Sequence, residues 1–105
     1  MINAETIALS DFITASEQNI VSDMGGEKVM LSVQNGNYYN LGAIGGRIWD
    51  FLGSSISVKQ VIELLLSEFD VEREECERHV ISFLEHLRKE GLILVNQEIT
   101  NTIHT

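Results

Sequence analysis

The sequence predicts a small α+β domain: a short antiparallel meander, then three helices, then a short β-like tail. Three observations carry this. Lys28–Gln34 alternates apolar and polar residues, the period of a strand. Asn35-Gly36 follows at once, the strongest short hairpin signal, because both residues tolerate positive φ. From Ala43 onward the apolar residues recur at helical spacing in successive runs.

Residues 1–10 are mixed and fit either loose chain or a first strand. Phe12 to Met24 is mostly polar with scattered β-formers, and Asn19–Met24 fits a strand on Ile20 and Val21. Gly25-Gly26 then breaks the chain. In Lys28–Gln34, Val29, Leu31 and Val33 share one face and Lys28, Met30, Ser32 and Gln34 the other, as expected of a half-buried strand. Asn37–Leu41 is the return strand and the last of the meander.

The first helix is expected at about Ala43–Leu52, with Ile44, Ile48, Phe51 and Leu52 on one side and Gly53 past its end. Its internal glycines cost about 1 kcal/mol each in propensity, which close packing against the sheet would explain. The second helix has the clearest start. Ser57 is its N-cap and Gln60 the N3 residue of a capping box, with Ile56 and Val61 placed as a hydrophobic staple. It runs to about Phe69, offering Val61, Ile62, Leu64, Leu65 and Phe69 to the core. The third runs from about Glu72 to Glu90, acidic at its start and basic at its end, as the helix dipole favours. Cys76, Val80, Phe83, Leu84 and Leu87 form its apolar stripe. Gly91 and Leu92 are placed for a Schellman ending closing on Leu87. Leu92–Val95 is a short β-like tail that can add to the sheet, and residues 96–105 are polar, an end expected to fray.

With 105 residues the chain is expected to be one domain, 1–105, with its ordered core at about 12–95. Its net charge of −9, from 16 acidic and 7 basic residues, argues against nucleic acid and against anionic membrane surfaces. No apolar run approaches the roughly 18 residues of a membrane span. A single Cys excludes an intramolecular disulfide, and the N-terminus lacks the pattern of a signal peptide, so the expected place is the cytoplasm.

Cys76, His79 and His86 lie on or beside one helix stripe, strung over about 15 Å of axis. A zinc site wants three or four convergent ligands, so no metal and no cofactor is expected. Cys76 and His79 are close enough in sequence to touch, but no third partner or oxyanion-hole turn accompanies them, and no catalytic residue is assigned. Gly42–Gly46 lacks the order of a phosphate loop. Tyr38 and Tyr39 are successive residues of a strand and cannot both enter one core. One of them is therefore an exposed aromatic, on a strand whose free edge would be open to β-augmentation by an extended peptide.

Tyr38-Tyr39-Asn40-Leu41, Gly42 to Gly46, Ile48-Trp49, Phe69-Asp70-Val71 and Leu87 to Ile93, in that order, resemble the PqqD-like family of RiPP recognition elements. These modules serve ribosomally made, post-translationally modified peptides. The resemblance covers about Ile20 to Val95. Tyr-Tyr-x-Leu followed by Gly-x-x-Ile-Trp is similar to the stand-alone form in lasso-peptide gene clusters.

The resemblance implies a winged helix-turn-helix-like fold, a three-stranded antiparallel sheet followed by three helices, with no enzymatic activity. It implies that the precursor's leader adds as a strand beside the third strand, in the cleft against the third helix. That maps onto Asn37, Tyr38, Tyr39, Asn40 and Leu41, and onto Cys76, His79, Val80, Phe83 and Leu87. The implied partners are a leader of Tyr-x-x-Pro type, a separate cysteine-protease-like leader peptidase, and a macrocyclase. Asn40-Leu41-Gly42 departs from the commoner Leu-Asn order. Two other classes compete: a winged-helix DNA-binding regulator, which needs a basic recognition helix, and a scaffold that dimerises through its open strand edge.

Overall fold

A computed structural model describes residues 6–17, 19–25, 27–33 and 35–96. In chain order they form β1 (Phe12–Ala15), β2 (Asn19–Met24), β3 (Glu27–Ser32), β4 (Tyr38–Leu41), α1 (Gly42–Phe51), β5 (Ile56–Ser57), α2 (Val58–Glu68), α3 (Arg73–Lys89) and β6 (Ile93–Asn96). β2, β3 and β4 make the expected antiparallel meander. β5, β1 and β6 make a second small antiparallel sheet. The β-like tail therefore pairs with β1, with Ile13 opposite Val95, and not with the meander. Its ladder ties the two ends of the described chain together. Residues 97–105, where fraying is expected, lie outside the described residues.

The β3 expectation needs correcting in two ways. The strand ends at Ser32 rather than running on, and its buried face is Met30 and Ser32, not Val29 and Leu31. Val33 is exposed in the turn. The reason lies across the ladder. Met30 is in register with Tyr39, and this face packs toward α1. Ser32 tolerates burial because its hydroxyl accepts the Asn35 N–H at 3.3 Å. The hairpin is also longer than a two-residue Asn-Gly turn. Ser32 C=O accepts the Gly36 N–H at 2.8 Å, Ser32 N–H donates to Asn37 C=O at 3.0 Å, and Gly36 takes a positive φ of 76°.

The helices start and stop where their caps place them. Ser57 and Gln60 form the reciprocal capping box of α2. Leu92 N–H donates to Leu87 C=O at 2.9 Å and Gly91 N–H to Arg88 C=O at 3.0 Å, the two bonds of a Schellman ending on α3. In α1, a Cβ on Gly46 would stand 3.0 Å from Lys28 Cβ, so glycine lets the helix lie close on β3. The core joins Ile13, Met30, Ile48, Leu52, Val61, Ile62, Leu65, Val80, Leu84, Leu87 and Leu92, with Tyr39 and Trp49 packed at its border. Ile7 also belongs to it, held by its N–H donating to Glu85 Oε2 at 2.7 Å. Leu64, expected in the core, is exposed.

Candidate functional site

Among the described residues β4 is an edge of the meander, paired only with β3. The Ser32–Asn37 bond sets the phase of the ladder. Antiparallel alternation then turns the Tyr39 main chain toward β3 and leaves the N–H and C=O groups of Tyr38 and Asn40 facing the open edge. Side chains alternate as well. Tyr38 stands on the outer face, 73% exposed, while Tyr39 and Leu41 turn inward. The Tyr39 hydroxyl donates to Glu90 Oε1 at 2.8 Å and accepts from Asn35 Nδ2 at 3.1 Å. This bridge fastens the hairpin to the C-terminal end of α3. Asn40 accepts the Gly42 N–H on Oδ1 and donates from Nδ2 to Glu27.

Beyond Leu41 a cavity of about 390 Å³ opens between β4, α1, α2 and α3. Its walls are apolar except for Glu75 and His79. Leu41, Ile44, Gly45 and Ile48 form one side, Cys76, Val80 and Phe83 the opposite side, with Leu65, Phe69 and Val71 at the α2–α3 junction. A Cβ on Gly45 would lie 3.0 Å from the Phe83 ring, so this glycine admits the aromatic wall. Two charge-assisted bonds, Arg47 Nε to Glu68 Oε1 at 2.8 Å and Arg47 N–H to Glu68 Oε2 at 2.7 Å, tie α1 to the end of α2. The hydrogen bonds from Arg47 hold the Glu68 carboxyl below the usual glutamate range. Burial pushes the Cys76 thiol up, which keeps it protonated and a poor nucleophile. Among the described residues no cluster of His, Cys, Asp or Glu is arranged to hold a metal ion, and no helix is long and apolar enough to cross a membrane.

The ten residues singled out in the sequence fall into three groups. Leu41, Cys76, His79, Val80 and Phe83 line the cavity. Asn37, Tyr38, Tyr39 and Asn40 belong to the neighbouring hairpin and edge. Leu87 does neither: it is 1% exposed, in the core. Cys76 and Val80 line the cavity while being largely buried. The contributions of α1, Leu65 and Val71 to the walls were not singled out.

This arrangement, an open strand edge running into an apolar cavity beside a helix, can be compared with known proteins. The family model for Coenzyme PQQ synthesis protein D (PqqD) matches residues 27–93, from β3 to the start of β6. The chain belongs to the PqqD family. The matched segment contains β4 and every wall of the cavity. Two solved structures share the fold. "TbiB1 in Complex with the TbiA(beta) Leader Peptide" is 29% identical with a TM-score of 0.68, over 76% of this chain and 93% of that one. "Lasso peptide synthetase B1 complexed with the leader peptide" is 26% identical with a TM-score of 0.68, over 78% of this chain and 96% of that one. No curated protein matches the chain. The expected PqqD-like fold, in the form found in lasso-peptide B1 proteins, is thus the observed one.

Proposed function

We propose that this PqqD-family chain recognises the leader of a precursor peptide in lasso-peptide or related RiPP biosynthesis. The leader adds as a strand along β4 and places an apolar side chain in the cavity. The observation that carries this is the unpaired edge of β4 running directly into an apolar cavity of about 390 Å³. An added strand satisfies the outward groups of Tyr38 and Asn40, and the cavity supplies side-chain selection. Both structural neighbours are complexes with leader peptides, which supports the same reading here.

The module performs no chemistry itself. Its one thiol is kept protonated by burial, and the cavity walls are otherwise almost wholly apolar. It acts in the cytoplasm as a carrier, presenting the bound leader to a separate cysteine-protease-like leader peptidase, with a macrocyclase closing the ring afterwards. A leader of Tyr-x-x-Pro type fits, with the tyrosine ring in the cavity.

Fluorescence anisotropy with a synthetic leader from the precursor gene of the same cluster tests this. Binding in the micromolar range or tighter is expected, about −8 kcal/mol or better. The peptide should be recovered with unchanged mass. Cleavage or modification by the purified chain, or no binding, would sink the proposal.

A further inference from the structure

Among the described residues, the outer face of the meander presents a row of exposed apolar side chains. Register sets Ile20, Leu31 and Tyr38 side by side across its three strands. Ile20 is 56% and Tyr38 73% exposed, and Val33 and Met24 continue the exposed apolar surface. Val29 lies one pleat away from Leu31 on the same face, half-buried. This is the opposite face from the one through which Tyr39 and Leu41 turn inward.

A strand added along β4 has two faces of its own. Its residue opposite Tyr39 looks inward, and its residues opposite Tyr38 and Asn40 look outward. Adjacent strands lie about 4.8 Å apart, so the side chain opposite Tyr38 becomes the fourth member of the Ile20–Leu31–Tyr38 row.

We propose that this outer row is the second half of the peptide site, and that it takes an apolar or aromatic side chain of the added strand. That side chain stands an odd number of residues from the one in the cavity. The inference rests on the strand-addition reading above and extends it to specificity. Charge excludes an acidic side chain here. Glu27, on the same face, already holds the Asn40 amide, and the chain as a whole carries −9. The same charge opposes a second copy of the chain as the occupant.

Selection of displayed random peptides, each about ten residues long, against the purified chain tests the proposal. Enriched peptides should carry apolar residues at two positions of opposite parity. Selection against Tyr38→Asp should lose the outer position and keep the inner one. In a selected peptide, replacing the outer apolar residue with Ala should weaken binding about two- to fivefold, the size of one cross-strand pair, and should have no further effect on Tyr38→Ala. Tyr38 is exposed, so both variants should melt with the parent, and circular dichroism checks this. An unchanged consensus with Tyr38→Asp overturns the outer row. So does a dimer that Tyr38→Asp dissociates, because a second copy would then own the face. Hydrogen exchange separates the two levels. If bound peptides slow exchange at residues 37–41 but ignore Tyr38, strand addition stands and the outer row falls. If no enriched peptide protects those amides, strand addition itself fails, and the inference with it.

Discussion

Gly45 and Phe83 meet across the wall of the cavity, and their contact divides residues that build the fold from residues that build the site. A Cβ at Gly45 would stand 3.0 and 3.1 Å from two Phe83 ring carbons, tighter than ordinary contact. Gly45→Ala recovers about 1 kcal/mol of helix propensity while forcing the ring to move. Its melting temperature should therefore change little and its leader affinity should fall. Leu84, on the same helix, is fully buried, so Leu84→Ala should cost about 2–5 kcal/mol of stability. His79 is exposed at the cavity wall. His79→Ala should stay within about 0.5 kcal/mol in stability and lose about 1 kcal/mol of leader affinity. Thermal melts and anisotropy on these variants give the comparison. Binding losses that simply track melting losses in every variant would mean that α3 supplies only core. At this scale the sequence was legible where spacing alone decides. The α3 stripe put Cys76, His79 and Phe83 on one side, and the cavity uses that side. Leu87, on the same stripe, is buried in the core with Leu92, whose N–H closes the Schellman ending on the Leu87 C=O.

Strands were less legible than helices, and the reason is the distance between partners. The starts and stops of α2 and α3 are written locally, in Ser57 with Gln60 and in Gly91 with Leu92. β1 is four residues whose partner β6 lies at the far end of the chain, so no local pattern announces it. β3 shows the second failure. Its period was visible, but which face is buried depends on what α1 covers, and α1 covers Met30's side. The edge of β4 was readable because successive tyrosines must point opposite ways. Its exposed main chain makes a sharp test. Asn40→Pro removes an N–H that faces the open edge and leaves the bonds of Tyr39 to β3 in place. Asn40→Ala keeps that N–H and loses only the contacts to Gly42 and Glu27. Leader affinity should fall about three- to tenfold for the proline variant, the worth of one net hydrogen bond, and less for the alanine variant. Equal affinities in two folded variants would place the leader elsewhere.

At the scale of the molecule, the site is a gap kept open between elements, which is why half of its wall was invisible in the sequence. Ile44 and Ile48 on α1 and Leu65 on α2 read as ordinary core residues until the helices are set against one another. Ion pairs help fix that setting. Arg47 binds Glu68 with two donors and joins α1 to α2, and Arg73 binds Glu63 at 2.8 Å and joins α3 to α2. Hydrogen bonds from the arginines hold both carboxyls below the ordinary glutamate value of 4.5. Near that pH the unfolded chain therefore binds more protons than the native one, so stability rises with pH there. The contribution of these pairs is fully present above the ordinary value and is lost as pH falls through the lower native values. Both pairs are exposed, so the effect is small at neutrality and weakens with salt. The melting temperature should hold between neutrality and about pH 5 and then fall. Glu68→Gln should flatten part of that acid limb, because a neutral amide has no proton to gain. Leader affinity should drop over the same range, since α1 and α2 both wall the cavity. Melting curves and anisotropy across the acid range would decide this. An acid limb of equal steepness in Glu68→Gln would show that the Arg47–Glu68 pair contributes nothing to fixing α1 against α2.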